Sequence, residues 1–139
     1  MDLSLIWPAA ALVGLTCVVW FVLYARRIPY MMRNRIKPDA VASRAQVVEL
    51  LGPVQAPANN FNNLLELPVL FYLLAVVATL TERTGEAMTA AAWAFVALRV
   101  LHSLIQCTYN KVMHRFLVYS AGALVLWGMW AGWAISMLR

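Results

Sequence analysis

Four long apolar segments, separated by shorter polar stretches, set the pattern of this chain. The segments cover residues 3–24, 58–80, 88–109 and 116–138, and each is 22 or 23 residues long. At about 1.5 Å per helical residue, that length crosses the roughly 30 Å hydrocarbon core of a bilayer. The pattern therefore predicts an all-α integral membrane protein, a four-helix bundle of transmembrane helices in a single domain over residues 1–139.

The polar stretch between the first two segments is long and basic. Residues 25–57 form a predicted loop that contains six Lys and Arg side chains. Within it, a short amphipathic helix is expected from Asp39 to Leu51, with Asp39 as its N-cap and Gly52 at its end. This helix would lie on the membrane surface. The residues that share its apolar face are Val41, Ala45, Val48 and Leu51.

The placement of charge predicts how the chain crosses the membrane. Loop 25–57 and the last connection, with Lys111 and Arg115, hold most of the cations, whereas the opposite side has only Arg83 and Arg139. Under the positive-inside rule, the long loop is cytoplasmic and both termini lie outside. The first segment is too long for a signal-peptide core and lacks a basic segment before it, so it is expected to remain a span.

Composition supports the membrane class. The chain is 63% hydrophobic and 12% charged, with a formal net charge of +5. Because the cations lie between apolar segments, anionic lipid headgroups explain them better than nucleic acid does. Cys17 and Cys107 lie inside apolar segments and are expected to be reduced packing residues. No Cys/His cluster in the sequence suits a metal, and its two histidines are not placed to hold a haem, so neither is expected.

The third apolar segment carries a stripe of polar residues, and exposing this stripe to lipid would be energetically unfavourable. Arg99, His102, Ser103, Gln106 and Asn110 fall within about 100° of one helical face. An arginine in the middle of a transmembrane helix is unfavourable by about 2.5–3.5 kcal/mol. The sequence therefore predicts that Arg99 has a partner on a neighbouring helix.

The expected partner of Arg99 is Glu66, because it is the one carboxylate inside an apolar segment. Either the two form a buried ion pair that fixes helix packing, or Arg99 also lines a polar cleft that holds an anionic ligand. His102 is open to the same alternatives, as a hydrogen-bonded packing residue or as a ligand-binding group. Arg115 is either a charge that sets the topology or a cation aimed at a substrate anion or thiolate.

The second apolar segment begins with a polar face. Asn59, Asn62, Asn63 and Glu66 follow helical spacing, and Pro68 is expected to kink the helix just after them. Such amides can bridge neighbouring helices. With the carboxylate, they can instead form a wet pocket at the cytoplasmic end of the span.

The order of these features resembles that found in the family of membrane-associated proteins in eicosanoid and glutathione metabolism (MAPEG). The resemblance is to a bacterial-type member of the family. The segment Asn63-Leu-Leu-Glu66, followed by Pro68, is similar to the Asn-x-x-Glu and proline of that family. Arg99-Val-Leu-His102 is similar to the Arg-Val-Ala-His of its prostaglandin E synthase branch. The resemblance covers nearly the whole chain.

Arg115 and Tyr119 extend the resemblance into the fourth segment. Arg115 follows Arg99 by sixteen residues, the position of the catalytic arginine in that branch, and Tyr119 matches a tyrosine there. The chain also departs from the pattern at three places. Glu66 precedes Pro68 by two residues, where the family usually has three. Gln106 stands where that branch has a tyrosine, and residues 45–82 contain no Lys or Arg, although the family has arginines just before its Asn-x-x-Glu segment.

The resemblance implies a homotrimer that binds glutathione, as a co-substrate, in clefts between protomers. It implies a glutathione-dependent transferase or peroxidase that acts on lipophilic electrophiles, with Arg115 as the catalytic residue that stabilises the thiolate. Expected partners are membrane lipids, other copies of this chain and a lipophilic small molecule, and not nucleic acid. The ligand-binding residues that it implies are Asn63, Glu66, Arg99, His102 and Tyr119.

Two other hypotheses fit the same residues. The first is a non-catalytic oligomeric membrane protein that binds lipid or a small anion in the cleft between copies. The second is a small four-span exchanger of drugs and protons, which a single intramembrane carboxylate such as Glu66 would fit. Pairing of Glu66 with Arg99 argues against an exchanger, because a paired acid is less free to bind a proton or a cation.

Overall fold

The computed structural model describes residues 2–138, and this part of the chain is helical, without a β-strand. The prediction of an all-α fold is confirmed. Two 3-10 turns accompany the α-helices in the loop between the first and second spans. The α-helices of the described part are α1 (Ile6–Arg33), α2 (Arg44–Leu51), α3 (Ala56–Leu64), α4 (Leu67–Leu80), α5 (Glu86–Cys107) and α6 (Val112–Met137).

The predicted number of membrane spans is also confirmed for residues 2–138. Helices α1, α5 and α6 are each long and apolar enough to cross a bilayer, and α3 with α4 forms the remaining span, over residues 56–80. The short connection between α5 and α6 makes them antiparallel neighbours. Arg139, one of the two cations predicted on the outer side, lies outside the described residues, and the orientation across the membrane stays a prediction.

Helix α1 is longer than the apolar pattern predicts. The first span was expected to end at residue 24, but the helix continues to Arg33, through Pro29. Hydropathy marks where a helix leaves the hydrocarbon, whereas the helix itself ends where its backbone is capped. Here the Ile36 N–H donates to the Met31 carbonyl (2.9 Å) and the Arg35 N–H to the Met32 carbonyl (3.3 Å), the two bonds of a Schellman cap.

The prediction of a single amphipathic helix over residues 39–51 is wrong. A 3-10 turn covers Pro38–Val41, and α2 begins only at Arg44. Ser43, and not Asp39, is its N-cap, because the Ser43 hydroxyl accepts from the Gln46 N–H (3.3 Å) while the Gln46 side chain accepts from the Ser43 N–H (2.9 Å). Of the predicted apolar face, Leu51 alone is buried, and Ala45 and Val48 are exposed.

The second span is broken close to Pro68, as the presence of that proline predicts. Helix α3 ends at Leu64 and α4 begins at Leu67, so Leu65 and Glu66 form the break. Pro68 has no N–H to donate to the Leu64 carbonyl four residues earlier, and its ring crowds that carbonyl. The buried face nevertheless continues across the break at spacings of three and four residues, through Leu64, Pro68 and Phe71.

Aromatic and aliphatic side chains fill the core between the spans. Phe71 of α4 stacks on Phe95 of α5 with ring centroids 5.0 Å apart, and Leu12 of α1 and Leu126 of α6 are fully buried. At the end of the bundle near the α4–α5 turn, the Thr84 hydroxyl donates to the Asp2 carboxylate (2.7 Å) and holds the pKa of that carboxyl below its usual range. This bond ties the first residues to the α4–α5 turn.

Candidate functional site

The polar stripe of α5 faces the interior of the bundle. Arg99, His102, Ser103 and Gln106 are each at most 4% exposed. Asn110 does not belong to the buried stripe, because α5 ends at Cys107 and the chain turns through Asn110 with a φ of 50°. The face predicted from helical spacing is therefore correct over the four residues that lie inside the helix.

Arg99 meets α6 rather than a carboxylate. Its Nη2 donates to the Tyr119 backbone carbonyl (3.2 Å), and its guanidinium carbon lies 4.6 Å from the Tyr119 ring centroid and 5.4 Å from that of Phe95. Such cation–π contacts favour a guanidinium that has lost its water. Gly122 provides the space, since a Cβ built there would lie 3.0 Å from Arg99 Nη2.

The predicted ion pair between Arg99 and Glu66 is not formed. Glu66 is exposed in the break between α3 and α4, whereas the Arg99 side chain is enclosed against α6. Nε and Nη1 of Arg99 have no hydrogen-bond partner among the described residues. The guanidinium points towards α6, so the two aromatic rings and a backbone carbonyl take the place that the carboxylate was expected to fill.

Helix α3, which faces the stripe, is rotated relative to the prediction and turns a different residue inward. Asn59 and Asn62 are exposed, whereas Asn60 is fully buried. The Ser103 hydroxyl donates to Asn60 Oδ1 (3.3 Å), and Asn60 Nδ2 is directed at Cys107 Sγ (3.5 Å). Asn60 is not among the residues predicted for this face. Its spacing of three and four residues from the buried Pro57 and Leu64 is the signal that could have found it.

A chain of hydrogen bonds connects α3, α5 and α6. Asn63 Nδ2 donates to Gln106 Oε1 (3.2 Å), His102 Nε2 lies 2.9 Å from the same oxygen, and His102 Nδ1 lies 3.3 Å from the Arg115 backbone carbonyl. Both ring nitrogens face an oxygen. The chain is satisfied by an imidazolium, or by a neutral imidazole with the Asn63 and Gln106 amides reversed.

Replacing Gln106 with leucine is expected to lower the stability of the folded protein by about 1–2 kcal/mol, because it leaves Asn63 and His102 with unsatisfied polar groups. The measurement is the free energy of unfolding of purified protein in mild detergent. Asn62→Leu is the matched control, since Asn62 is exposed. Equal effects of the two substitutions would show that the Gln106 bonds contribute nothing specific.

Five of the six residues implied as catalytic or ligand-binding meet at one cavity, of about 250 Å³. Arg99 is the exception, because it does not line the cavity and its guanidinium packs on the Tyr119 ring. The Arg115 side chain is half-buried at the cavity wall, where its Nη1 donates to Asn110 Oδ1 (2.5 Å). The His102 and Tyr119 rings lie 5.7 Å apart. The cavity is lined by Asn63, Glu66, His102, Val112, Arg115, Phe116 and Tyr119.

The cavity lies at the end of the bundle that carries the basic loop. Arg26, near the end of α1, donates from Nη2 to the Cys107 carbonyl at the end of α5 (2.6 Å). Arg27 donates from Nη2 to Gln55 Oε1, just before α3 (3.2 Å). These contacts bring loop 25–57, the start of α3 and the α5–α6 connection to one end of the bundle.

The lining of the cavity suits an anionic or zwitterionic ligand with an apolar portion. Arg115 supplies a cation and Glu66 an anion, the imidazole, amide and phenol groups can donate or accept hydrogen bonds, and Val112 and Phe116 form an apolar wall. Among residues 2–138, no three His, Cys, Asp or Glu side chains gather so that they could hold a metal ion.

Comparison with known proteins finds one family. A family model described as the MAPEG family matches residues 5–135, which is nearly the whole chain. No curated protein matches the chain. No solved structure matches it either.

Proposed function

The chain belongs to the MAPEG family and is a multi-pass integral membrane protein, and on that premise we propose that it is a glutathione-dependent transferase or peroxidase acting on lipophilic electrophiles. The observation that carries the proposal is the cavity in which Arg115 meets Asn63, Glu66, His102 and Tyr119. The cavity places a cation, a carboxylate and hydrogen-bonding groups beside an apolar wall.

Arg115 is proposed to hold glutathione as its thiolate. A cysteine thiol with a pKa near 8.5 is mostly protonated at neutral pH, and the thiolate is the nucleophile. Lowering that pKa by about two units requires about 2.7 kcal/mol of preferential stabilisation of the anion. A guanidinium in a partly buried cavity can supply this through a charge-assisted hydrogen bond. Glu66 can bind the ammonium group of glutathione, and Val112 and Phe116 can receive the lipophilic electrophile.

The homotrimer that the resemblance implies is part of the proposal, and the small size of the cavity in one protomer supports a site completed by another copy. Drug-sized ligands typically occupy pockets of roughly 300–1,000 Å³, and the cavity of one protomer is about 250 Å³. A second copy closing over it would complete the cleft and could add a cation for the glutathione carboxylates. The charge distribution supports a topology in which this end of the bundle is cytoplasmic and both termini lie outside.

The proposal is tested by the near-ultraviolet absorbance of the thiolate when glutathione is added to the purified protein at neutral pH. A saturable increase, equal to at most one thiolate per site, is expected. S-methylglutathione has the same backbone but no ionisable thiol, so it should compete for binding and give no absorbance. Absence of both binding and conjugation across a broad panel of electrophiles would contradict the proposed activity.

A non-catalytic protein that binds lipid or a small anion in the same cleft is the second candidate. The observation that favours it is that Arg115 is the one cation among the residues that line the cavity, whereas glutathione has two carboxylates. It predicts that Arg115→Ala changes no reaction rate. Membership of the MAPEG family does not support the exchanger hypothesis. The Arg99–Glu66 ion pair, which argued against an exchanger, is not formed.

A further inference from the structure

A second cavity lies at the carboxyl end of α1 and shares no lining residue with the proposed glutathione site. It has a volume of about 530 Å³, and its floor is apolar, formed by Ile28, Met31, Met32 and Ile36. Arg35 and Lys37 stand at its rim. Met32 is 74% exposed and Ile28 is 52% exposed, so the floor is open rather than covered by the rest of the chain.

The level of this cavity in the membrane follows from the length of α1. Its 28 residues extend for about 42 Å, more than the roughly 30 Å hydrocarbon core and close to the full thickness with headgroups. Ile28 lies about 33 Å along the helix from Ile6. If α1 enters the core near Ile6, the cavity therefore lies at the level of the headgroups on the side of the basic loop.

The rim carries a concentration of positive charge. Residues 26–37 contain five Lys and Arg side chains and no Asp or Glu. Arg26 and Arg27 already donate to the bundle, whereas Arg33, Arg35 and Lys37 are exposed. Of these, Arg35 and Lys37 line the cavity, and their two full positive charges outweigh the partial negative charge, roughly half an elementary charge, at the carboxyl end of a helix.

The backbone at the rim is in a conformation that favours glycine. Arg35 has a φ of 54°, at the position where helices with a Schellman cap usually have glycine. An arginine is held there in the left-handed region at a cost in free energy. The sequence thus places a guanidinium at the edge of the cavity where a glycine would fit the backbone better.

We propose that the end of α1 and the turn after it, with Arg35 and Lys37 over the apolar floor, form a binding site for an anionic glycerophospholipid. The phosphate would lie between the two cations, and the glycerol and the start of the acyl chains would cover Met32 and Ile28. A second copy of this chain that packed through the same patch, across a twofold axis, would bring like charges together. An acidic peptide would leave the apolar floor unused. The site does not depend on the proposed enzymatic activity.

The test is lipid binding to the full-length protein in neutral detergent, measured by native mass spectrometry and by the shift in melting temperature. Phosphatidylglycerol is compared with phosphatidylcholine of the same acyl chains, and the wild type should prefer the anionic lipid. Because a cation near the membrane surface contributes about 1 kcal/mol, Arg35→Gly should reduce this preference about fivefold. Arg35→Gly with Lys37→Gln should reduce it about 25-fold.

The variants separate loss of the site from loss of the fold. Arg35→Gly suits the backbone, so the protein without lipid should be at least as stable as the wild type. Arg44→Gln is the control, since it removes one charge from α2, outside the cavity, and should leave the preference unchanged. An equal loss with Arg44→Gln, an unchanged preference in the double variant, or equally strong competition by soluble glycerol phosphate would each overturn the proposal.

Discussion

Replacing Arg115 with alanine is expected to lower kcat/KM for glutathione conjugation about 100- to 1,000-fold, the range found when one preorganised donor to a reacting anion is removed. Arg115 is the cation of the cavity lining, and its Nη1 is held by Asn110 Oδ1. This bond leaves the rest of the guanidinium available to the thiolate. The measurement is the initial rate with a chromogenic chloronitrobenzene as electrophile.

Three comparisons make the Arg115 result specific. Lys111→Ala removes an exposed cation one turn away and should leave the rate unchanged. Arg115→Lys keeps the charge but loses the planar fork, so an intermediate rate is expected. The rate of Arg115→Ala should also recover as the pH rises towards the pKa of free glutathione, because hydroxide then supplies the thiolate. Equal rates in Arg115→Ala and Lys111→Ala would favour the non-catalytic candidate.

The elements inside the membrane were predictable from the sequence because the bilayer restricts them. Length and hydropathy give the spans, and helical spacing gives the buried face of α5, including Arg99 and His102. The free energy of an arginine in hydrocarbon correctly indicates that Arg99 is buried in the bundle. That free energy does not identify the partner of Arg99, since the Tyr119 and Phe95 rings and the Tyr119 carbonyl contact the guanidinium in place of a carboxylate.

The errors have a common physical origin. Spacing shows which residues share a face, but the rotation of a helix against its neighbours depends on packing between distant parts of the chain. For this reason the polar face of α3 was assigned around Asn59 and Asn62, whereas Asn60 is the residue turned inward. Outside the hydrocarbon, backbone caps decide where helices begin and end, as the Ser43 cap does at the start of α2.

The closeness of Gly122 to Arg99 also depends on packing between two helices, and it leads to the largest stability effect that we expect. Gly122→Leu should reduce the free energy of unfolding by about 3 kcal/mol, the upper part of the range for overpacking a filled interior. The added Cβ would lie 3.0 Å from Arg99 Nη2, and the guanidinium cannot retreat without leaving the Tyr119 and Phe95 rings. Denaturation of purified protein in mild detergent measures the effect.

Gly128→Leu is the matched control on the same helix, because nothing lies within 4 Å of a Cβ built on Gly128. It should be neutral or slightly stabilising, since leucine favours a helix more than glycine does. Arg99→Met replaces the guanidinium by a flexible side chain, so Gly122→Leu should be less destabilising in that background than in the wild type. If the loss of stability is the same in both backgrounds, Gly122 does not act through Arg99. If the double variant recovers stability, the interaction of Arg99 with α6 is the reason that this position of α6 has no side chain.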